Sequence, residues 1–303
     1  MLENFSLADL TAFIKENYPN WLKKTQTFAL RVKQYEKTKE SKGEIIDTIA
    51  KAINRKVNLS APSREIFIER RKADWLLYFN KQRAGGGLPF ASAGKVLCLV
   101  SGGIDSPVAS YLMIKRGAEN IWLHFHSYPL VSKKSIEKTK ELAEIFLKYQ
   151  PRLKLLLVPF QQIQMEIKSK VPPKYRVLLY RRFMLKIAEI IAQKQNYGAL
   201  ITGESLGQVS SQTLPNIAIT EESVKIPILR PLIAKDKEEI IKIAKEIGTL
   251  EVSVKPQEDC CTLFTPAHST AQGRLEEVKE LEKEIDTTSL MKNAIERMET
   301  VNY

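Results

Sequence analysis

The stretch Val96-Leu97-Cys98-Leu99-Val100-Ser101-Gly102-Gly103-Ile104-Asp105-Ser106-Pro107-Val108-Ala109 decides how this chain reads. Five apolar residues in succession, without polar alternation, predict a strand buried on both faces. The run after the glycines predicts a helix with Pro107 in its first position. Strand, glycine-rich turn and helix, in that order, make a cradle for phosphate. The glycines let the backbone approach the ligand, and the helix start offers unpaired N–H groups at the positive end of its dipole. Nucleotide binding is therefore expected here.

Outward from this turn the chain alternates. Residues 120–126, 153–159, 199–202 and 224–229 predict strands, and 135–149, 177–195 and 236–248 predict helices. Repeated βα units predict an α/β domain with a parallel sheet covered on both faces. Ligands of such sheets sit at the carboxyl ends of the strands. Ser101–Ser106, His124-Phe125-His126 and Thr202-Gly203-Glu204-Ser205 all fall at such ends, which predicts one shared site.

Upstream, helices over 7–17 and 42–53 and strands over 27–33, 65–69 and 74–79 predict a small α+β domain. The expected division is 1–84 for this domain, 85–94 for a Gly- and Pro-rich linker, 95–270 for the α/β domain and 271–303 for a charged, helical extension. The net charge of +12 is concentrated at the start: residues 1–94 carry 17 Lys/Arg against 10 Asp/Glu. A basic N-terminal third predicts a polyanion partner such as RNA. No apolar run reaches the roughly 20 residues of a membrane span, and no signal peptide is evident. Three cysteines, two of them adjacent, give no disulfide framework, so the cytoplasm is the expected compartment.

The turn is not a Walker A loop, which needs Lys before Ser/Thr, and no dinucleotide fingerprint is present. Asp105 inside a phosphate turn would repel its ligand unless Mg²⁺ or the helix dipole offsets it. It reads as a metal or turn organiser, the alternative being a helix cap. His124 and Phe125 are candidates to contact a base, or else core residues. Either Arg181 or Arg182, on an apolar helix, could clamp phosphate bidentately. Residues 203–212 are rich in glycine and amides, suited to wrapping a ligand. Cys260-Cys261, in a polar setting, reads as a nucleophile or sulfur carrier, whereas Cys98 belongs to the core.

The Ser101–Ser106 turn resembles the PP-loop of ATP pyrophosphatases. The whole set resembles the tRNA 4-thiouridine synthetases, or tRNA uridine 4-sulfurtransferases: SGGIDSPVA at 101–109, HFHS at 124–127, TGESLGQVSSQT at 202–213, RPL at 230–232 and EDCCTLFTP at 258–266. The resemblance implies a PP-loop domain of the adenine nucleotide alpha hydrolase type, preceded by an RNA-binding THUMP domain. It implies ATP contacts at Leu99, Val100, Ser101, Gly102, Gly103, Asp105, Ser106, His124, Phe125, Arg181, Gly203 and Gln212, with Mg²⁺ accompanying ATP. It makes Asp105 essential, Cys260 catalytic and Cys261 a candidate resolving thiol. The implied reaction adenylates uridine 8 of tRNA and replaces its O4 with sulfur from a cysteine desulfurase persulfide. For some relatives it extends to sulfur supply in thiamine thiazole synthesis. Two departures from the fuller family pattern are expected: these 303 residues read as too few to hold an N-terminal ferredoxin-like domain as well, and no rhodanese domain is expected after residue 271. A homodimer would compensate for the first. The rival readings are another PP-loop enzyme, such as a 2-thiolase, and a non-catalytic RNA-binding protein.

Overall fold

A computed structural model describes residues 2–36, 39–72, 74–82, 85–256 and 270–303, and divides the chain into two compact units, Met1–Ala84 and Gly85–Tyr303. In the first unit, α1 (Leu7–Trp21), β1 (Phe28–Gln34), α2 (Lys42–Ala52), β2 (Arg64–Arg71) and β3 (Asp74–Tyr78) follow in order. The sheet runs β1-β2-β3, with β1 and β2 parallel and β3 antiparallel to β2. Both helices start on capping boxes, Ser6 with Asp9 and Ser41 with Glu44, which satisfy their first free N–H groups. Leu10, Ile14, Ile45 and Ile49 pack on Leu30, Ile66, Ile68 and Trp75 in a separate core.

The second unit is built on a six-stranded sheet. β4 (Lys95–Leu99) leads through α3 (Asp105–Lys115) to β5 (Glu119–His126), and α4 (Lys134–Phe146) leads to β6 (Lys154–Pro159). Then α5 (Gln161–Lys170) and α6 (Arg176–Lys194) carry the chain back to β7 (Leu200–Ile201), on the other side of β4. After α7 (Leu214–Glu221), β8 (Ile228–Leu229) and α8 (Lys237–Glu246) come α9 (Leu250–Ser253), α10 (Leu275–Lys283), α11 (Thr287–Glu296) and β9 (Glu299–Asn302). The order is β8-β7-β4-β5-β6-β9, parallel throughout except for β9 against β6. The predicted α/β class with a parallel sheet is the one observed. Each face has its own core. Leu97, Leu123 and Phe125 pack with α5 and α6, whereas Val96, Cys98 and Trp122 pack with α3, α4 and α8. That double burial is why the strands read as unbroken apolar runs.

Three local readings change. α3 begins at Asp105, so Pro107 is its third residue; this costs no hydrogen bond, because N–H groups of the first turn have no helical acceptor. α5 was not expected: QQIQMEIKSK is polar, and only Ile163, Gln164 and Ile167 of it are buried. The 271–303 segment, expected to be helical, also supplies β9, which pairs with β6 from Leu157↔Glu299 to Lys154↔Asn302. The chain leaves β4 toward β5 and returns to β7, so the sheet order reverses between β4 and β7. A crevice opens at the carboxyl ends of two such strands.

Candidate functional site

A cleft of about 290 Å³ occupies that crevice, lined by Leu99, Ser101, Asp105, Ser106, Val177, Arg181, Met184, Leu185, Thr202, Gly203, Glu204, Ser211 and Gln212. The turn after β4 shapes its floor. Gly102 takes a left-handed φ of 43°, open to glycine at little cost. The Ser106 hydroxyl accepts the Ser101 N–H at 3.0 Å and closes the loop on itself. The N-cap of α3 is Ile104, which offers no side-chain cap, so the first N–H groups of the helix stay available to an anion. Gly203 at the end of β7 lies against this turn. A Cβ there would sit 2.8 Å from Ser106 N and 2.9 Å from the Asp105 carbonyl carbon.

Asp105 does not cap its helix. Its carboxylate accepts from Lys237 Nζ at 2.7 Å and from Gln208 Nε2 at 2.9 Å. Lys237 stands there because Asp236 and Glu239 form a capping box that fixes where α8 begins. The 203–212 segment is tied down at both ends. Ser205 Oγ donates to Lys235 O at 2.7 Å, and the Gln212 side-chain oxygen accepts the Ser205 N–H at 3.1 Å.

Arg181 and Arg182 part company, because adjacent residues on a helix point about 100° apart. Arg181 faces the cleft. It is paired with the Glu204 carboxylate and donates through Nη1 to Ser211 Oγ at 3.1 Å. Arg182 is buried and bound to Glu282 at 2.9 Å and Glu222 at 3.0 Å, a bridge that fastens α6 to α10 and the end of α7. Glu204 also takes Arg230 Nε at 2.7 Å and the Thr202 hydroxyl at 2.8 Å. Burial works to raise the pKa of Glu204, but the charges of Arg181 and Arg230 and the hydrogen bonds outweigh it. The net shift is downward and the group stays ionised.

The structure brings Leu99, Ser101, Asp105, Ser106, Arg181, Gly203 and Gln212 together on the cleft wall. Five other expected contacts, Val100, Gly102, Gly103, His124 and Phe125, do not line it. His124 is buried behind the loop, its Nδ1 2.8 Å from Val100 O. Burial lowers its pKa to about 4 against that hydrogen bond, so the ring is neutral. Phe125 packs edge-on against Phe160 in the core. Cys98 is core, its thiol pushed up to about 12 by burial. Cys260 and Cys261 lie outside the described residues. Lys237, Glu204 and Arg230 were not singled out from the sequence, although Glu204 and Arg230 fall inside the quoted TGES and RPL stretches.

Asp105 gives the cleft a hard oxygen donor suited to Mg²⁺ brought in by phosphates. No cluster of three or more metal-ligating side chains occurs among the described residues. No helix among them is long and apolar enough to cross a membrane.

The chain matches two family models, thiamine biosynthesis protein (ThiI) over residues 91–287 and the THUMP domain over residues 7–80. It is similar to a probable tRNA sulfurtransferase of Thermus thermophilus, 46% identical over 247 residues, covering 82% of this chain and 61% of that protein. A probable tRNA sulfurtransferase of Finegoldia magna is 42% identical over 285 residues, covering 92% and 73%. The chain thus spans less than two thirds of the Thermus relative. Among solved structures, a 4-thiouridine synthetase–RNA complex with bound ATP superposes with a TM-score of 0.84 at 32% identity, covering all of this chain and 81% of that one.

Proposed function

Because the chain belongs to the thiamine biosynthesis protein (ThiI) family, we propose that it transfers sulfur to tRNA at the expense of ATP, making 4-thiouridine. The observation that carries this reading is the cleft itself: an uncapped helix start, a carboxylate and two cationic side chains converge at the switch point of a parallel sheet. In this reading the N–H groups of the Ser101–Ser106 turn and of α3 hold the phosphates of ATP. Arg181 fixes them from the opposite wall, and Asp105 would hold Mg²⁺, which would spread the phosphate charge. Lys237, beside Asp105, faces the charge that develops on leaving pyrophosphate. The substrates reported for relatives support the choice of ATP and RNA.

The uridine O4 attacks the α-phosphorus, and pyrophosphate leaves. The terminal sulfur of a persulfide on Cys260 then bonds to C4, and AMP departs with the old oxygen. A second thiol, for which Cys261 is the candidate, breaks the remaining S–S bond. The resulting disulfide is reduced by an external dithiol. The persulfide is supplied by a cysteine desulfurase, and the same sulfur would serve thiazole formation for thiamine.

The test is to incubate the protein with unmodified tRNA, Mg-ATP, a cysteine desulfurase and cysteine, and to follow 4-thiouridine by its near-ultraviolet absorbance. Product that vanishes in Cys260→Ser supports the reading. RNA binding with neither AMP transfer nor product would overturn it in favour of a non-catalytic RNA-binding protein.

A further inference from the structure

Resting on that reading, we propose that Glu204 is a positioning residue: it holds Arg181 in one orientation at the wall of the cleft, and Arg230 keeps it from yielding to incoming phosphate. Glu204 is 4% exposed and stands between two guanidinium groups. Its Oε1 takes Arg181. Its Oε2 takes Arg230 Nε and the Thr202 hydroxyl at the end of β7.

The donor count of Arg181 shows what is left for a ligand. A guanidinium has five N–H donors. Among the described residues one is given to Glu204, and Nη1 serves Ser211 twice, at Oγ and at the carbonyl. Five less three leaves Nε–H and one Nη2–H on a side chain that lines the cleft. A free arginine would have to freeze its long stem on meeting phosphate; this one is already frozen.

Arg230 explains how that arrangement survives binding. A carboxylate paired with a single arginine competes with phosphate for it, and a shift in either partner would free the other. Here Glu204 has a second cation that does not line the cleft, itself braced by Glu221 at 2.9 Å. Two arginines on one carboxylate leave one positive charge, which the exposed Glu221 on Arg230 offsets in part, so what the set offers the nucleotide is chiefly the two fixed N–H donors of Arg181. Arg182 shows the contrast. It sits between two carboxylates, Glu282 and Glu222, buried and outside the cleft lining.

The test is a double-mutant cycle on the full chain, with ATP affinity measured by calorimetry in Mg²⁺ and cooperative unfolding followed by calorimetry in parallel. Glu204→Asp keeps the charge but draws the carboxylate back by one methylene, so that it cannot span both arginines. We expect E204D to weaken ATP at least about tenfold in the otherwise unaltered chain, and less than about twofold when Arg181→Ala is already present. An E204D protein with unchanged ATP affinity overturns the proposal. So does one that loses the same factor with and without Arg181, because Glu204 would then act through the fold at large. Failure of both E204D and E204Q to unfold cooperatively would make Glu204 purely structural and overturns it too. An unaltered chain that binds no ATP overturns the functional reading and this role with it; the other outcomes leave that reading intact.

Discussion

Replacing Gly203 with alanine probes the join between β7 and the phosphate turn. An added Cβ would lie 2.8 Å from Ser106 N, 2.9 Å from the Asp105 carbonyl carbon and 2.9 Å from Ser106 Cα, where ordinary contact begins near 3.4 Å. All three neighbours are backbone, so no side chain can swing aside, and the turn must retreat by about 0.5 Å, close to the shortfall in each distance. Overpacking of this kind costs about 1–3 kcal/mol. For a unit of this size that lowers the melting temperature by about 2–4 °C per kcal/mol. The functional loss should be larger than the stability loss suggests. The displaced atoms begin α3, where phosphate would bind, and a shift of order 1 Å at reacting groups costs about a hundredfold. We expect G203A to melt several degrees lower and to lose about tenfold or more in ATP affinity, read by calorimetry on folded protein at 20 °C. A variant with wild-type melting and wild-type ATP affinity would refute the claim that β7 and the turn are in contact at the site.

The two adjacent arginines should separate cleanly. Arg181→Ala should cost about ten- to a hundredfold in ATP affinity, the worth of one or two charge-assisted hydrogen bonds, whereas Arg182→Ala should cost about 3–5 kcal/mol in urea-unfolding free energy because it strips a buried Glu282 of its main partner. Equal effects on ATP affinity and stability from both would contradict their placement. Burial holds His124 and His126 down to about 4, His126 also through the charge of His124. Because these folded-state values lie below the unfolded value near 6.5, stability present above pH 6.5 should drain away as pH falls toward 4. His124 alone contributes up to about 1.4 kcal/mol per pH unit, and His126, nearer the rim, contributes less. Urea melts between pH 6.5 and 5, above the carboxylate range, should show the slope, and an H124N/H126N variant should lack it. If the N-terminal unit grips RNA through phosphates, filter binding should fall about 10³–10⁵-fold between 50 and 200 mM salt for six to ten contacts; a loss of less than tenfold would argue against it.

The central motif was legible because every level agreed. An unbroken apolar run could only be a strand covered on both faces, and the glycines after it could only serve a turn. Elements that the sequence did not announce lacked such agreement, α5 and β9 among them. α5 buries just three of its ten residues, so no apolar stripe announces it. β9, Glu-Thr-Val-Asn, has no strand signature and exists because β6 offers an open edge to pair with. Position along the chain was less decisive at β5, where the sequence left both a base contact and a core role open. His124 and Phe125 do stand at the carboxyl end of a strand, but they turn into the two cores on either side of the sheet instead of over its rim. Lys237 could not be found by pattern at all. Its capping box is readable, yet its meaning depends on Asp105, 132 residues earlier.

The charges of the cleft fall into two groups that differ in how easily they can be parted. Asp105 and Lys237 are 23% and 44% exposed, so water screens the pair and separating it costs about 0–1 kcal/mol. The side chains of Arg181, Glu204 and Arg230 are 18%, 5% and 10% exposed, and removing a partner from such a buried set costs about 3–5 kcal/mol. A ligand bearing phosphate and a divalent cation therefore meets one wall that exchanges partners at little cost and one that holds its shape. In the proposed reading a cation held by Asp105 would take the place of Lys237, and the ammonium so released would be free to pair with phosphate. Arg181, by contrast, has to be used where it stands. Geometry at the fixed wall is set before binding by residues from β7, α6 and the segment after β8. The yielding wall, built from the starts of α3 and α8, is where charge would be rearranged if phosphate binds as proposed.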